Sequence, residues 1–221
     1  MKTLLLTGFG PWDQYDRNAA WELLEEQGRV APEGWRIRTL QVPVVWDAAW
    51  AAVAAAWDRS VHAVVAFGQA EDDEIRVERF AVNASSTTTP DRDGACYRSD
   101  WIVPGAAHAL HTRLPWQRLQ QTLAAARLPV RVSMHAGDYL CNHLFYRILH
   151  RVEQDRSGLV AGFIHVPTLA RLELGQLSKA GELVVDTLFD HLQRADAAGS
   201  AAPLAAQGQP VADGQETEID P

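Results

Sequence analysis

Apolar runs alternate along the chain with segments in which apolar residues recur at helical spacing. Continuous apolar runs at 4–10, 61–70 and 158–167 are typical of strands that are covered on both faces. Shorter strands are predicted near 36–42 and 129–134. Helical spacing predicts five helices, which span 19–28, 46–60, 115–128, 138–154 and 172–195. Strands that alternate with helices predict an α/β sandwich.

Two local features refine this prediction. Asn18 precedes the first helix and is expected to cap it, and Gly28 is expected to end it. The segment 75–94 begins with the alternation of a strand and ends in a Pro-Asp turn signal. We therefore expect it to form a β excursion that leaves the main sheet.

The chain has 221 residues, of which 47% are hydrophobic, and this is enough to bury one sizeable core. We predict a single domain over residues 1–196. Residues 197–221 are rich in Ala, Gly, Pro, Gln and acids and lack periodicity, so we expect an acidic, disordered tail.

The net charge of -8 argues against several kinds of partner. Five of the acids lie from Asp196 onward, which leaves the rest of the chain near -3. No block of Lys and Arg is present for phosphate backbones or anionic lipids, so we expect neither a nucleic acid nor a membrane partner. No apolar run approaches the roughly 18 residues that span a bilayer, and the first apolar stretch is too short for a signal peptide.

The chain contains two cysteines, Cys96 and Cys141, which do not make a disulfide framework, so we expect free thiols in a reducing cytoplasm. Cys141 lies in the first turn of a predicted helix, where the helix dipole and unpaired N–H groups favour a thiolate. This position suits a nucleophile. Free cysteine is also a common core residue, and apolar side chains follow it, so both interpretations stay open at this point.

A thiol nucleophile needs a base, which directs attention to the histidines. His165 ends an apolar strand and is expected at the carboxyl edge of the sheet. The helix of Cys141 starts at the same edge if it follows the strand 129–134. His135, in the loop just upstream, is a weaker rival base. His143 shares the helix with Cys141 and is expected to form a polar cap or to face solvent.

Glu78 is a charged residue within a strand-like segment and is the candidate that orients the imidazole. Its alternative is an outward-facing charge beside Arg79. A metal site would instead draw on another set of residues, namely His135, Asp138, Cys141 and His143. Their spacing matches no standard zinc pattern, so we predict no metal.

Six motifs stand in order along the chain: LLTGFGPW at 5–12, GQA at 68–70, VERFAVN at 77–83, PDRDG at 90–94, AGDYLCNHLFY at 136–146 and GFIHVP at 162–167. Together they resemble the pyrrolidone-carboxylate peptidases, also called pyroglutamyl peptidase I, over about residues 3–190. The resemblance implies a three-layer α/β/α sandwich, in which we expect a mixed, mostly parallel central sheet. It also implies a cytoplasmic cysteine exopeptidase that takes peptides with an N-terminal pyroglutamate, uses no cofactor and forms a homo-oligomer, either a dimer or a tetramer.

The resemblance also implies roles for individual residues. Cys141 would attack the pyroglutamyl carbonyl, His165 would activate the thiol and protonate the departing amine, and Glu78 would orient the imidazole. The implied substrate-binding residues are Phe9, Trp12, Gln69, Tyr139 and Leu140. A flat lactam ring would be held between Trp12 and Tyr139, with Gln69 or nearby backbone supplying polar contacts.

The chain also departs from the family pattern. The family usually carries an arginine two positions before Pro90, where this chain has Thr88. Loss of one oxyanion donor can lower a rate on the order of 10²- to 10³-fold, so the alternative function is a catalytically weak or inactive pyroglutamyl-binding protein. Arg79 and Arg92 are the candidates to replace the missing cation. The acidic loop 71–74, together with Asp138, predicts an acidic rim that would favour basic peptides.

Overall fold

The computed structural model describes residues 1–12, 15–25, 30–85, 87–97, 99–155 and 158–197. The strands are β1 (Lys2–Phe9), β2 (Trp35–Val42), β3 (Val61–Ala70), β4 (Ile75–Glu78), β5 (Phe80–Val82), β6 (Ala109–His111), β7 (Val130–Ser133) and β8 (Val160–Pro167). The helices are α1 (Ala19–Glu25), α2 (Ala48–Ala56), α3 (Trp116–Ala125), α4 (Leu140–Gln154) and α5 (Leu174–Ala197).

The main sheet has six strands in the order β2-β1-β3-β8-β4-β7. Strands β2, β1, β3 and β8 run parallel to one another, whereas β4 pairs antiparallel with β8 and parallel with β7. The prediction of a mixed, mostly parallel sheet is confirmed. The apolar runs identified in the sequence form the central strands, and every residue of β8 is buried, because helices cover both faces of the sheet.

Two hydrophobic clusters separate the two faces of the sheet. Ile164 and Val166 of β8 pack in the cluster that contains α1, α3 and α5. Phe163, which alternates with them, packs in the cluster that contains α2 and α4. This alternation confirms the three-layer α/β/α arrangement, and it fixes which side chains of β8 face α4.

The segment 75–94 differs from the prediction. Its first strand, β4, is part of the main sheet, and only β5 leaves it to pair with β6 in a separate two-stranded sheet. β6 has three residues, which is too short for a periodic signal, and the sequence pattern missed it.

Asn18 caps α1 as predicted, since its Oδ1 accepts a hydrogen bond from the N–H of Ala20 at 3.0 Å. The predicted end of this helix at Gly28 lies outside the described residues. Residues 198–221 also lie outside them, so the acidic tail stays a prediction. Within the described part of the chain, no helix combines the length and the apolarity needed to cross a membrane.

Candidate active site

The site lies where β3, β8 and the start of α4 meet. Gly68 of β3 is in register with His165 of β8. A Cβ atom added at Gly68 would lie 2.8 Å from Sγ of Cys141, so the sulfur occupies the space above this glycine. Register partners on parallel strands point to the same face. His165 therefore lies on the same face of the sheet as Cys141, and its ring packs on Phe163 with 4.9 Å between ring centroids.

The chain reaches this arrangement by a route that the sequence analysis did not predict. β7 runs opposite to β8, and its last residue, Ser133, pairs with Glu78, while Arg76 pairs with His165. The last residue of β7 therefore lies level with the residue of β8 that comes two positions before His165. Residues 134–139 lead the chain back to the carboxyl edge of β8, where α4 begins.

Glu78 is fully buried, so it is not the outward-facing charge of the alternative interpretation. Its Oε1 lies 2.7 Å from Nδ1 of His165. An ionised carboxylate can only accept hydrogen bonds, so Nδ1 is the donor in this pair. The hydrogen bond therefore fixes the imidazole tautomer and leaves Nε2 as the proton acceptor.

Arg76 completes the charged part of the site and was missed by the sequence analysis. Its Nε lies 3.2 Å from Oε1 of Glu78, and its Nη1 lies 3.4 Å from Oδ2 of Asp72. Arg76 and Glu78 are two residues apart on β4, so strand alternation places them on the same face. That spacing was visible in the sequence, but it identifies Arg76 only once the face of Glu78 is known.

The two arginines proposed to replace the missing cation lie elsewhere. The guanidinium of Arg79 lies over the ring of Trp116, 4.0 Å from its centroid. Arg92 is exposed, and its backbone N–H donates to the carbonyl of Val44. Thr88 is also exposed, and its carbonyl accepts the thiol of Cys96 at 3.3 Å.

Burial sets the protonation state of the candidate nucleophile and the candidate base. Burial, followed by the charge of Glu78, raises the pKa of Cys141 to about 12, while Arg76 lowers it. Burial also lowers the pKa of His165, against the hydrogen bond to Glu78, which raises it. The resting pair is therefore a neutral thiol and a neutral imidazole. Because Cys141 is partly exposed, a substrate can reach the sulfur, and the imidazole can act as a general base.

The first turn of α4 supplies hydrogen-bond donors next to the sulfur. The N-cap residue is Tyr139, and its own side chain makes no hydrogen bond that caps the helix. The first N–H groups of a helix have no partner within the helix, and they point toward the positive end of its dipole. They can therefore stabilise negative charge that develops on an oxygen bound beside Cys141.

Asn142, next to the nucleophile candidate, was also missed. It is fully buried, its Oδ1 accepts the N–H of Val82, and its Nδ2 donates to the carbonyls of Val82 and Ala84, each at 2.9 Å. These bonds tie β5 to the start of α4. Because β5 follows β4 after one residue, they also fix α4 relative to the strand that carries Glu78.

The two aromatic residues predicted to grip a lactam contact each other. The ring centroids of Trp12 and Tyr139 lie 5.3 Å apart at an interplanar angle of 36°. A third ring between them would need about 7 Å, since each contact takes roughly 3.5 Å. The predicted sandwich therefore requires the two rings to separate. Tyr139 is held in place by a hydrogen bond of 2.8 Å from its hydroxyl to the carbonyl of Pro90.

The other predicted binding residues make different contacts. Oε1 of Gln69 accepts the N–H of Ala19 at 2.8 Å and so serves the start of α1. Phe9 and Leu140 are buried in the core, which leaves the backbone as the part of each that a ligand could contact. Gln69 also lines a cleft of about 200 Å³, together with Trp12, Tyr15, Asn18, Ala70 and Glu71.

The acidic loop 71–74 is largely paired with arginines. Arg171 contacts its first and third acids at 3.2 and 2.5 Å, and Arg131 contacts its second and fourth at 2.7 and 3.2 Å. Arg76 adds its contact to the second acid. The prediction of an acidic rim that favours basic peptides therefore loses its main support.

His143 is fully buried, so the expected solvent-facing position is wrong. Its ring packs against Trp46 and Tyr97, with centroids 5.6 and 5.0 Å away. Neither ring nitrogen has a hydrogen-bond partner among the described residues. Burial, assisted by the charge of Arg147, lowers its pKa to about 4. His143 is therefore neutral at physiological pH and lacks the carboxylate partner that His165 has.

Two alternatives from the sequence concern His135 as a rival base and a metal site. His135 is exposed, and its Nδ1 accepts the N–H of Gly137 at 3.2 Å. Over the described residues, no three His, Cys, Asp or Glu side chains come together in a group that could hold a metal ion.

Comparisons with known proteins point to one family. The family model for pyroglutamyl peptidase matches residues 1–200. A pyrrolidone-carboxylate peptidase from Brevibacillus brevis is 32% identical over 203 residues, which is 86% of this chain and 94% of the relative. A Yersinia pestis pyrrolidone-carboxylate peptidase is 34% identical over 171 residues, covering 76% of this chain and 80% of the relative.

Solved structures give the same result. Pyroglutamyl peptidase I from Bacillus amyloliquefaciens superposes with a TM-score of 0.81 at 29% identity, over 86% of this chain and 98% of the other. The pyrrolidone carboxyl peptidase from Thermococcus litoralis gives a TM-score of 0.80 at 28% identity, over 88% and 96% of the two chains.

Proposed function

The chain belongs to the pyroglutamyl peptidase family, and we propose that it is a cysteine exopeptidase that removes an N-terminal pyroglutamyl residue from peptides. The observation that carries this proposal is the buried 2.7 Å hydrogen bond between His165 and Glu78, on the face of the sheet where the Cys141 sulfur lies. A nucleophile, a base and an orienting carboxylate at one point are the parts that acyl transfer requires.

In the first half of the reaction, Nε2 of His165 takes the thiol proton as Sγ of Cys141 bonds to the pyroglutamyl carbonyl carbon. The N–H groups in the first turn of α4 stabilise the negative charge on the carbonyl oxygen. The tetrahedral intermediate then breaks its C–N bond, and His165 gives its proton to the departing amine. The products of this half are a thioester on Cys141 and the shortened peptide.

In the second half, His165 removes a proton from water, which attacks the thioester carbon. The C–S bond breaks, the sulfur regains its proton from His165, and pyroglutamic acid leaves. Glu78 accepts the Nδ1–H bond throughout and stabilises the imidazolium that forms in each half.

Substrate recognition follows from the walls of the site. We propose that the lactam packs against the aromatic pair Trp12 and Tyr139. Either the two aromatic rings separate and hold the lactam between them, or the lactam packs beside the pair. The backbone at Leu140 supplies polar contacts, because its side chain is buried in the core.

The direct test is hydrolysis of pyroglutamyl-aminomethylcoumarin. We expect the wild type and a Cys96→Ala control to release the fluorophore, and Cys141→Ala to lose at least about 10³-fold in kcat/KM, since the covalent step needs the sulfur. Equal release by Cys141→Ala would contradict the proposal. If the wild type fails to hydrolyse but binds pyroglutamate in a calorimeter, the protein is instead the weak or inactive binder that Thr88 suggested.

The family resemblance also leads us to propose a homo-oligomer, a dimer or a tetramer, that works in the cytoplasm. The exposed free thiol of Cys96 suits a reducing compartment. Light scattering on the purified protein measures the oligomer size, and a monomer at micromolar concentration would contradict this part of the proposal.

A further inference from the structure

We propose that Arg76 is a positioning residue of this site, which acts on His165 through Glu78 by placing a positive charge beside the buried carboxylate. This inference rests on the proposed function. Arg76 does not need to touch the substrate in this role. Its charge balances Glu78, the carboxylate that in turn orients His165.

The geometry of β4 brings the charge to the right place. Arg76 is the register partner of His165 in the antiparallel pair β4–β8, and it shares a sheet face with Glu78. Its Nε lies 3.2 Å from Oε1 of Glu78, the same oxygen that lies 2.7 Å from Nδ1 of His165. One carboxylate oxygen is therefore shared between a fixed cation and the imidazole.

Glu78 needs such a countercharge. Its side chain has no exposure to solvent, and its second oxygen, Oε2, has no hydrogen-bond partner among the described residues. A buried carboxylate without water is costly unless a positive charge lies close to it. In the described part of the chain, the only cation recorded within ion-pair distance of Glu78, apart from His165, is Arg76.

Arg76 is itself held in place from the loop before β4. Asp72 contacts its Nη1 at 3.4 Å and also accepts a hydrogen bond of 2.7 Å from Arg131 of β7. The side chain of Arg76 is 20% exposed, compared with 41% for Arg131. The acidic loop, which the sequence suggested as a rim for substrates, thus has a second role as the anchor of this arginine.

The position of Arg76 predicts how the site responds to pH. The groups that act on His165 are Glu78 and Arg76 of β4, Asp72 of the preceding loop and Cys141 of α4. The charge of Arg76 lowers the pKa of both His165 and Cys141. Removing it makes both protons harder to release, so both limbs of the kcat/KM profile move to higher pH.

The experiment compares Arg76→Gln, Arg76→Lys and the control Arg131→Gln, all in a Cys96→Ala background. Like Arg76→Gln, Arg131→Gln removes a positive charge that contacts Asp72. Among the described residues, however, Arg131 forms no ion pair with Glu78. Two readouts are taken across pH: kcat/KM on pyroglutamyl-aminomethylcoumarin, and the rate of Cys141 alkylation by iodoacetamide. Alkylation needs no hydrolysis, so it tests this inference even if the proposed function fails.

We expect Arg76→Gln to lower kcat/KM on the order of 10-fold at neutral pH, to move both limbs to higher pH and to slow alkylation at each pH. Arg76→Lys should restore most of the profile because it restores the charge, and Arg131→Gln should keep the wild-type profile. The inference is overturned if the Arg76→Gln profile and alkylation rate match the wild type. It is also overturned if Arg76→Lys or Arg131→Gln changes the pH profile and the alkylation rate as much as Arg76→Gln does. Such a result would indicate a general structural role for these arginines. Circular dichroism confirms that each variant is folded.

Discussion

His165 and His143 are both buried, both stand near the start of α4, and burial lowers the pKa of both. They differ in their neighbours. His165 donates to the buried Glu78, whereas His143 is enclosed by Trp46 and Tyr97 and has no hydrogen-bond partner among the described residues. Burial alone therefore gives an inert neutral ring, and the carboxylate turns a buried ring into an oriented base.

The largest effect that tests this comparison is expected from Glu78→Gln. The amide can turn its NH₂ group toward Nδ1, which would favour the wrong tautomer and leave the imidazolium without a counterion. We expect kcat/KM to fall on the order of 10³-fold, with a smaller change in KM. Steady-state kinetics on a pyroglutamyl substrate measures this loss.

The matched control for Glu78→Gln is His143→Phe, which removes the other buried imidazole and keeps an aromatic ring in its place. We expect its kcat/KM to stay within a few-fold of wild type. The comparison fails if the two variants lose similar activity. In that case the carboxylate partner would not be what distinguishes His165 from His143.

The sequence singled out the three proposed catalytic residues because each combined a suitable residue type with a suitable place. Cys141 begins a helix, His165 ends a buried strand, and Glu78 is a charge within a strand. Each of these features is visible in the few residues of sequence around it. Arg76 could not be identified this way, since its importance depends on which face of β4 is buried and on the register of β4 with β8.

The limits of the fold prediction have the same origin. Long apolar runs predicted the central strands, but β4 and β7 have four residues each, and nothing in so short a segment states its direction. His143 was expected to form a polar cap or to face solvent because, from the same helix, its ring cannot easily turn onto the sulfur of Cys141. Its burial depends on Trp46 and Tyr97, which come from distant parts of the chain, and tertiary packing of this kind cannot be read from spacing.

The second prediction concerns stability in acid. In the unfolded chain a histidine binds a proton near pH 6.5, whereas folded His143 resists protonation until about pH 4. Between these values the unfolded state binds more protons, so the free energy of unfolding falls as the pH falls. The total loss from His143 is about 3 kcal/mol.

His143→Phe removes this titration and keeps the ring in the aromatic cluster. Urea unfolding at pH 7.5 and at pH 4 should show that the variant loses about 3 kcal/mol less than the wild type between the two conditions. His165 and the carboxylates are common to both proteins, so they cancel in the difference. Parallel losses in the two proteins would show that His143 does not carry the effect.

The smallest effect is expected from Gly68→Ala, because Gly68 is the register partner of His165 and lies below the sulfur of Cys141. The added methyl carbon would lie 2.8 Å from Sγ of Cys141 and 2.7 Å from the ring of Phe163, so both must shift. We expect a stability loss of about 1–2 kcal/mol, and a fall in kcat on the order of 10-fold because the sulfur moves relative to the imidazole. Gly158→Ala is the control, since a Cβ there meets no atom of the described residues within 4 Å. If kcat of Gly68→Ala stays at wild type while stability falls, the sulfur tolerates displacement, and the position of Cys141 above Gly68 is not what aligns it with His165.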